Sequence, residues 1–479
     1  PLAGNGCLRD YANGMTTNKK GAVFIVGQVE TQANRFSPYL AKYHLDGYLL
    51  WHIVFPAGSG EGMDVEVDKT GQIYVIGQFV NFLDLDQNVG NGHTHLLSDL
   101  PPASPNEQYN QAVFITKFSD NPGAQPPTFQ WSYLLPTTRN TSSGQAGQIL
   151  GNGISIDHVG NVFVTGSFTQ NIDFQVDFSS TAALSPSNGG FDLFVAKLKD
   201  VGTSASIEYS FTIGGPTEDK GGDILCLSDK GFYLTGSFTG SPDFSPLGLP
   251  PTKNKWENPD SPQPAMFLAQ YYDDDSLKGI IRWSYQFTLT SGIPFGGIGL
   301  ALDNDHVYMV GNVLGGTQPV EGVANRNVTT PPAFPPLPSS PDQFIYVAAS
   351  THNQMAEWAV TLNQSGNEEA GGIAYDPLND QLAIAIENAS SQVTRVEILD
   401  AGNGGSSTTI EYPALINQSG TSLFFPGMDV SYYGGSLYFA SSFSGNIVDL
   451  NDTASSPNTL CEVGSLTNSL DMFLAKYHP

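Results

Sequence analysis

The 479 residues carry 46 Asp plus Glu against 19 Lys plus Arg, a formal charge of −27. A phosphate-binding surface needs clustered basic side chains, so nucleic acid is excluded as a partner. No run of about 18 apolar residues occurs, so no membrane span is predicted, while 40% hydrophobic and 11% aromatic residues are enough for a large core.

A spare segment around Cys7-Leu8-Arg9-Asp10 opens the chain, and a cassette of four short strands then recurs to its end. The second strand of the cassette reads Val23-Phe24-Ile25-Val26-Gly27, Ile73-Tyr74-Val75-Ile76-Gly77, Val162-Phe163-Val164-Thr165-Gly166, Phe232-Tyr233-Leu234-Thr235-Gly236 and Val307-Tyr308-Met309-Val310-Gly311. Degenerate copies follow at Leu382–Ile386 and Leu437–Ser441. These apolar, aromatic and β-branched runs, bounded by Gly, Asn and Asp, suit buried strands rather than helices. The third strand is Tyr39-Leu40-Ala41-Lys42, then Phe114–Lys117, Phe194–Lys197, Phe267–Gln270, Ile345–Ala348, a weak copy near 393–399, and Phe473–Lys476. The fourth carries Trp51, Trp131, Tyr209, Trp283, Trp358 and Tyr412.

Seven copies of a four-stranded unit, with one strand missing at the C-terminal end and a spare at the N-terminal end, predict an all-β, seven-bladed β-propeller. Each blade is too small to bury both faces alone, and stacking around a ring covers them. The whole chain, 1–479, then forms a single domain. Residues 1–12 are predicted to supply the outermost strand of the last blade and close the ring. The repeat text at Gly153–Phe168, followed by Asp192-Leu193-Phe194-Val195-Ala196-Lys197, resembles the bacterial SBBP-type propeller repeats. That resemblance covers nearly the whole chain. It implies a secreted or surface protein, and no particular reaction.

Of three cysteines, Cys226 sits in an apolar strand and reads as a buried thiol. Cys7 and Cys461 both fall in the closing blade and are predicted to form a disulfide that clips the ring, which suits an oxidising compartment. The opening at Pro1 without a Met points the same way, to a processed secreted protein. Six Asn-x-Ser/Thr sites, at Asn140, Asn327, Asn363, Asn388, Asn417 and Asn451, are candidate glycan acceptors.

The links between second and third strands are long at about 87–111, 175–190, 245–264, 314–342 and 450–470, and they are expected to decorate one face. Turns such as Asp68–Gly71 and Asp157–Gly160 should be structural, with Asp capping and Gly taking the left-handed position. Trp256, outside the repeat, is a candidate for stacking on a sugar or anchoring a protein. An Asp recurs after the second strand, at Asp84, Asp173, Asp243 and Asp449, and reads as a backbone cap. Asp84, Asp86 and Asn88 alternate oxygens as a calcium loop does, but the Gly falls late and no bidentate Glu follows, so calcium is a weak candidate and no other cofactor is implied. His93 and His95 lack a third ligand. Asp64, Glu66, Asp223 and Asp429 lie near the innermost strands, without a recognisable Arg/His/acid constellation. No serine elbow, phosphate loop or Cys-x-x-Cys occurs.

The sequence thus predicts a secreted, non-enzymatic binding or structural module of a cell surface or extracellular appendage. Its partner is expected to be itself, another extracellular protein or a glycan. The alternative is a lectin-like or glycoside-cleaving propeller, in which carboxylates from different blades converge.

Overall fold

A computed structural model describes residues 10–477 apart from 33–34, 87–91, 101–105, 176–183, 228–230, 241, 245–264, 274–277, 288–293, 317–339, 354, 363–365, 389–392, 413–427 and 445–469. The described strands are antiparallel meanders stacked around an axis, a β-propeller. The first sheet is Asp10–Thr17, Ala22–Gln32, Arg35–His44 and Leu49–Val54. The second is Ala57–Val67, Gln72–Leu83, Glu107–Ser119 and Thr128–Asn140, a four-stranded blade extended at its outer edge by Asn171–Asp173 and Leu184–Pro186 and beside its second strand by His95–Leu96. The third is Ile149–Ile156, Val162–Phe168, Asp192–Asp200 and Ala205–Ile213. The fourth is Lys220–Leu227, Gly231–Phe238, Ala265–Asp273 and Lys278–Phe287. The fifth is Pro294–Leu302, His306–Gly316, Ser340–Thr351 and Ala356–Leu362. The sixth is Glu368–Asp376, Gln381–Asn388, Val393–Asp400 and Ser406–Tyr412. A last sheet has three described strands, Met428–Tyr433, Ser436–Ser444 and Leu470–Tyr477.

Two expectations need correction. The described strands complete six four-stranded blades, not seven, because the last sheet has three described strands. Residues 10–12 do not serve an outer strand. They belong to the inner strand of the first sheet, where Asp10 pairs with Val29 and Ala12 with Gly27. Residues 1–9 lie outside the described residues.

The Val-Gly motif has a packing cause. The inner strand bulges beside it, between Ala12 and Gly14 in the first sheet and between Gly151 and Gly153 in the third. The bulge pushes a carbonyl against the second strand. A Cβ at Gly27 would stand 1.8 Å from the Tyr11 oxygen, and one at Gly166 would stand 1.9 Å from that of Leu150. The sixth sheet keeps the bulge with Ile386 at this position, and in the seventh Met428 pairs with Ser441 without a register shift.

The third-strand lysine and the fourth-strand tryptophan both reach the next blade. Lys42 pairs with Asp120 at 2.7 Å, Lys117 with Asp200 at 2.6 Å and Lys197 with Asp273 at 2.7 Å. Each aspartate stands at the end of the neighbour's third strand. The same ammonium groups lie over Phe24, Tyr74 and Phe163 on their own second strands. Trp131 Nε1 donates to Asp200, Trp283 to the His352 carbonyl and Trp358 to the Ala401 carbonyl, so an aromatic that packs within one sheet ties to the next. Core clusters likewise straddle sheets. Phe24, Leu40 and Trp51 pack with Val65, Val75 and Phe114, and Val23, Ile25 and Tyr39 pack with Tyr438 and Ala440 across the closure.

The Lys117–Asp200 pair is buried, so removing one partner strands the other. Lys117→Ala should cost about 3–5 kcal/mol in denaturant titration. A joint Lys117→Met, Asp200→Leu variant should cost clearly less. A loss under about 1 kcal/mol for the single variant would rank the pair with exposed ion pairs.

Candidate functional site

The axis of the ring is a cavity of about 340 Å³, lined by the inner strands of all seven sheets. Inner strands have no partner on that side, so their outward amides need acceptors from elsewhere. One register position, which follows the bulge in the first six sheets, supplies them. It is occupied in turn by Gly14, Asp64, Gly153, Asp223, Gly299, Gly372 and Asp429. No two aspartates fall in adjacent sheets. Asp64 accepts from Ile154 N at 3.0 Å, Asp223 from Leu300 N at 2.9 Å and Asp429 from Met15 N at 2.8 Å. In each case the donor is the residue following a glycine in the next sheet. The second carboxylate oxygen takes the amide of the aspartate's own successor, Val65, Ile224 or Val430, at 2.7–2.8 Å. Glu66 adds a fourth acid, accepting from Ile156 N at 3.0 Å.

A second ring of ties lies one step outward. The residue after the Val-Gly pair accepts from the next inner strand: Gln78 from Gly151 N, Ser167 from Gly221 N, Asn312 from Ala370 N and Ser442 from Ala12 N.

Burial and mutual repulsion hold protons on the axial acids. Burial lifts Asp64 to about 6. Burial and the neighbouring Asp64 lift Asp223 to about 8, and the same pair of causes lifts Glu66 to about 8. Asp429 is pushed up by burial and by Asp64, against the pull of its two amides. All four keep part of their surface on the channel, so water there tempers the penalty. Among the described residues no Lys, Arg or His lines the cavity.

A different carboxyl pair stands in the sixth sheet, where Glu369 and Glu387 are direct cross-strand partners. Burial and then Glu369 raise Glu387 to about 8, and Gln343 donates to Glu369 at 3.2 Å. The position of Glu387 is held by neutral Gln, Ser or Asn in the tied sheets above.

The residues singled out from the sequence fall elsewhere. Asp84 accepts from the Thr94 hydroxyl at 3.2 Å, and that hydroxyl takes the Leu85 and Asp86 amides. Asn88 lies outside the described residues, and among the described residues no group of three His, Cys, Asp or Glu could hold a metal. His93 stacks on Phe82, whereas His95 bonds Ser132 at 2.7 Å and is pushed down to about 4 by burial, so the two imidazoles have separate surroundings. Asp173 accepts from Tyr109 and from the Gln175 amide, as a cap does. Asp68 and Asp157 cap their turns, with Gly71 and Gly160 at φ +91° and +96°.

Cys226 is a free thiol pushed up by burial. Cys7, Cys461, Trp256, Asp449, Asn327, Asn363, Asn417 and Asn451 lie outside the described residues. Asn140 is half-buried in a turn, accepting from Ser143 N. Asn388 is 1% exposed and its amide donates to Glu368, which closes it to modification of the folded chain.

No family model matches the chain, so the SBBP-type resemblance rests on the repeat text alone. No curated protein matches it either. Among solved structures it is similar to the Dos1 propeller, with TM-score 0.43, 8% identity, and coverage of 91% of this chain and 80% of that one. It is also similar to the endosialidase of phage phi92, with TM-score 0.39, 8% identity and coverage of 99% and 68%. A protein of unknown function from Dyadobacter fermentans gives TM-score 0.38, 10% identity and coverage of 79% and 89%.

The axial acids fix a pH dependence. Their folded affinities for protons exceed those of the unfolded chain, so their contribution to stability is full below about pH 4 and is lost as pH rises through 6 and 8. Asp200 and Glu208 act oppositely. Burial alone would raise them, but their lysines hold them below the usual range, and their contribution is lost in acid. Melting temperature should therefore peak on the acid side of neutrality and fall toward pH 9. Asp223→Asn should melt lower at pH 5, having lost one accepted amide, and its curve should converge on that of the wild type toward pH 9. Parallel curves would show that Asp223 does not set the slope.

Proposed function

We propose that the protein is a non-enzymatic, secreted propeller that serves as a binding or structural module of a cell surface or extracellular appendage. One observation carries this reading: the axial carboxylates, where a propeller would assemble a catalytic centre, are occupied with backbone amides of the neighbouring blade. They join blades. The repeated side chains are spent on the seams, and the chain diverges in the links between second and third strands. Binding then belongs to those links, with a second copy, another extracellular protein or a glycan as partner. The SBBP-type repeat text and the excess of acidic residues are consistent with an extracellular setting.

A second reading has its own observation. Glu369 and Glu387 are cross-strand carboxyls, and burial with the neighbouring Glu369 lifts Glu387 to about 8, so that it can hold a proton beside a second carboxyl as the acid of glycoside cleavage does.

Three measurements on the purified full chain separate these. Electron microscopy with and without a chelator, together with a glycan array, should show ordered assembly or saturable glycan retention. A panel of nitrophenyl glycosides should show no turnover above the buffer blank. Turnover that disappears in Glu387→Gln would overturn the first reading in favour of the second.

A further inference from the structure

The third sheet carries a buried acid that the fold itself does not call for. Asp192 opens the third strand of that sheet and pairs with Phe168, two residues after the Val-Gly motif. The same register position holds Ser37, Ala112, Ala265, Phe344 and Val393 in five other sheets and Asp471 in the seventh. Ala112 and Ala265 are fully buried there, so a methyl group fills the place without polar cost. Asp192 is 0% exposed. Its Oδ2 accepts from Asn188 N at 2.8 Å and caps the turn that precedes the strand. Its Oδ1 is buried as well and accepts from no group of the protein. Leaving such an oxygen unpaired costs stability, and a cap needs only one oxygen.

A second buried acid lies alongside. Asp219 is 1% exposed, immediately before the inner strand of the fourth sheet. Its two oxygens accept from Gly215 N at 2.7 Å and from Thr239 N at 3.0 Å. Gly214 and Gly215 run between the two carboxyls. A Cβ on Gly214 would collide with the Asp192 carboxyl, and one on Gly215 would stand 3.7 Å from both Asp219 Oδ2 and the Thr239 carbonyl oxygen. Burial lifts Asp219 to about 7 against the pull of its two amides, with Asp192 and Glu218 adding to the rise. Burial lifts Asp192 to about 6. Lys220 is engaged with the exposed Glu218 at 3.3 Å and with the Phe191 ring. Asn188, Gly189 and Pro216 to Glu218 are exposed, so the two acids lie one layer of residues beneath the surface.

We propose that Asp192 and Asp219 hold a hard divalent cation of the calcium class at the seam between the third and fourth sheets. The ion gives Asp192 Oδ1 the partner that the protein does not supply, and it offsets the repulsion between two buried carboxylates. Further donors at hand are the carbonyl oxygens of Thr217 and Thr239, both beside the glycine turns. An all-oxygen set of this kind suits calcium rather than zinc. Calcium also tolerates the irregular geometry of a glycine turn, where magnesium demands an octahedron. Two buried acids make a lightly charged site, so water completes the shell and the affinity falls in the range of extracellular calcium modules, about 0.1–1 mM. The bound ion fastens the turn 188–191 to the connection 214–219.

The test is isothermal titration calorimetry with CaCl2 on the full chain, stripped with a chelator and dialysed, alongside melting curves in chelator and in calcium. At pH 7.5 binding should saturate and melting temperature should rise. Asp192→Asn keeps a side-chain oxygen for the Asn188 amide but removes the charge, and it should weaken calcium about tenfold or more. Asp219→Asn should do the same, and Asp84→Asn should change nothing. Both acids must shed protons to take the ion, so affinity should fall between pH 7.5 and 5.5. MgCl2 should bind more weakly. Should the variants fail to fold, hydrogen exchange on the wild type decides: calcium should slow exchange in the peptides spanning 187–193 and 214–220 and leave that spanning 84–96 unchanged. No saturable binding, binding that survives both substitutions, equal affinity for magnesium, or protection only outside those two peptides would overturn the proposal.

Discussion

Everything in this molecule follows from the unpaired inner edge of a blade. A four-stranded meander satisfies its own backbone except along its two outer edges. In a ring the inner edges converge on an axis too narrow for another strand, so their amides must be met by side chains from the adjoining blade. Three aspartates at one register position do this, each interleaved with glycines that leave room for its carboxylate. Alternation keeps the charges apart, since two adjacent aspartates would crowd one another at the narrowest place in the disc.

The cost of that solution is electrostatic. Carboxylates are good acceptors because they are charged, and charge is what a recessed axis disfavours. The structure settles the conflict by keeping the acids part-protonated, so that the hub is neutral enough to stand and polar enough to hold. Three seams are built the other way at their outer ends, from the pairs of Lys42, Lys117 and Lys197 with aspartates of the next blade, which hold only when ionised. One ring therefore contains ties that strengthen in acid and ties that weaken in it. The balance is struck seam by seam.

Much of this was visible in the repeat text, and some was visible but unread. The strands, their order, the capped Asp-x-x-Gly turns and the glycine of the Val-Gly motif all follow from local pattern, because a period-two apolar run and a turn residue act within a few positions. The lysine of the third-strand motif had a readable partner. An aspartate lies three residues after that position at Asp120, Asp200 and Asp273, so the second and third blades each carry a lysine for the next blade and an aspartate for the previous one. The axial position could likewise have been aligned as Gly or Asp in every copy. At the loop read as a calcium candidate, the Thr94 hydroxyl, supplied by the chain folding back, donates to Asp84, a partner that no local pattern names.

By itself the sequence determined an all-β repeat, its strand order and the residues that punctuate it, since these depend on neighbours along the chain. Only the tertiary structure decided that Asp64, Asp223 and Asp429, up to 365 residues apart, share one cavity and that each ties two blades. It also decided that residues 10–12 line the axis instead of edging the last sheet, and that the described strands complete six four-stranded blades. Those facts depend on which sheet lies beside which, and on how burial at an axis shifts the charge of an acid, and neither is written in any short stretch of residues.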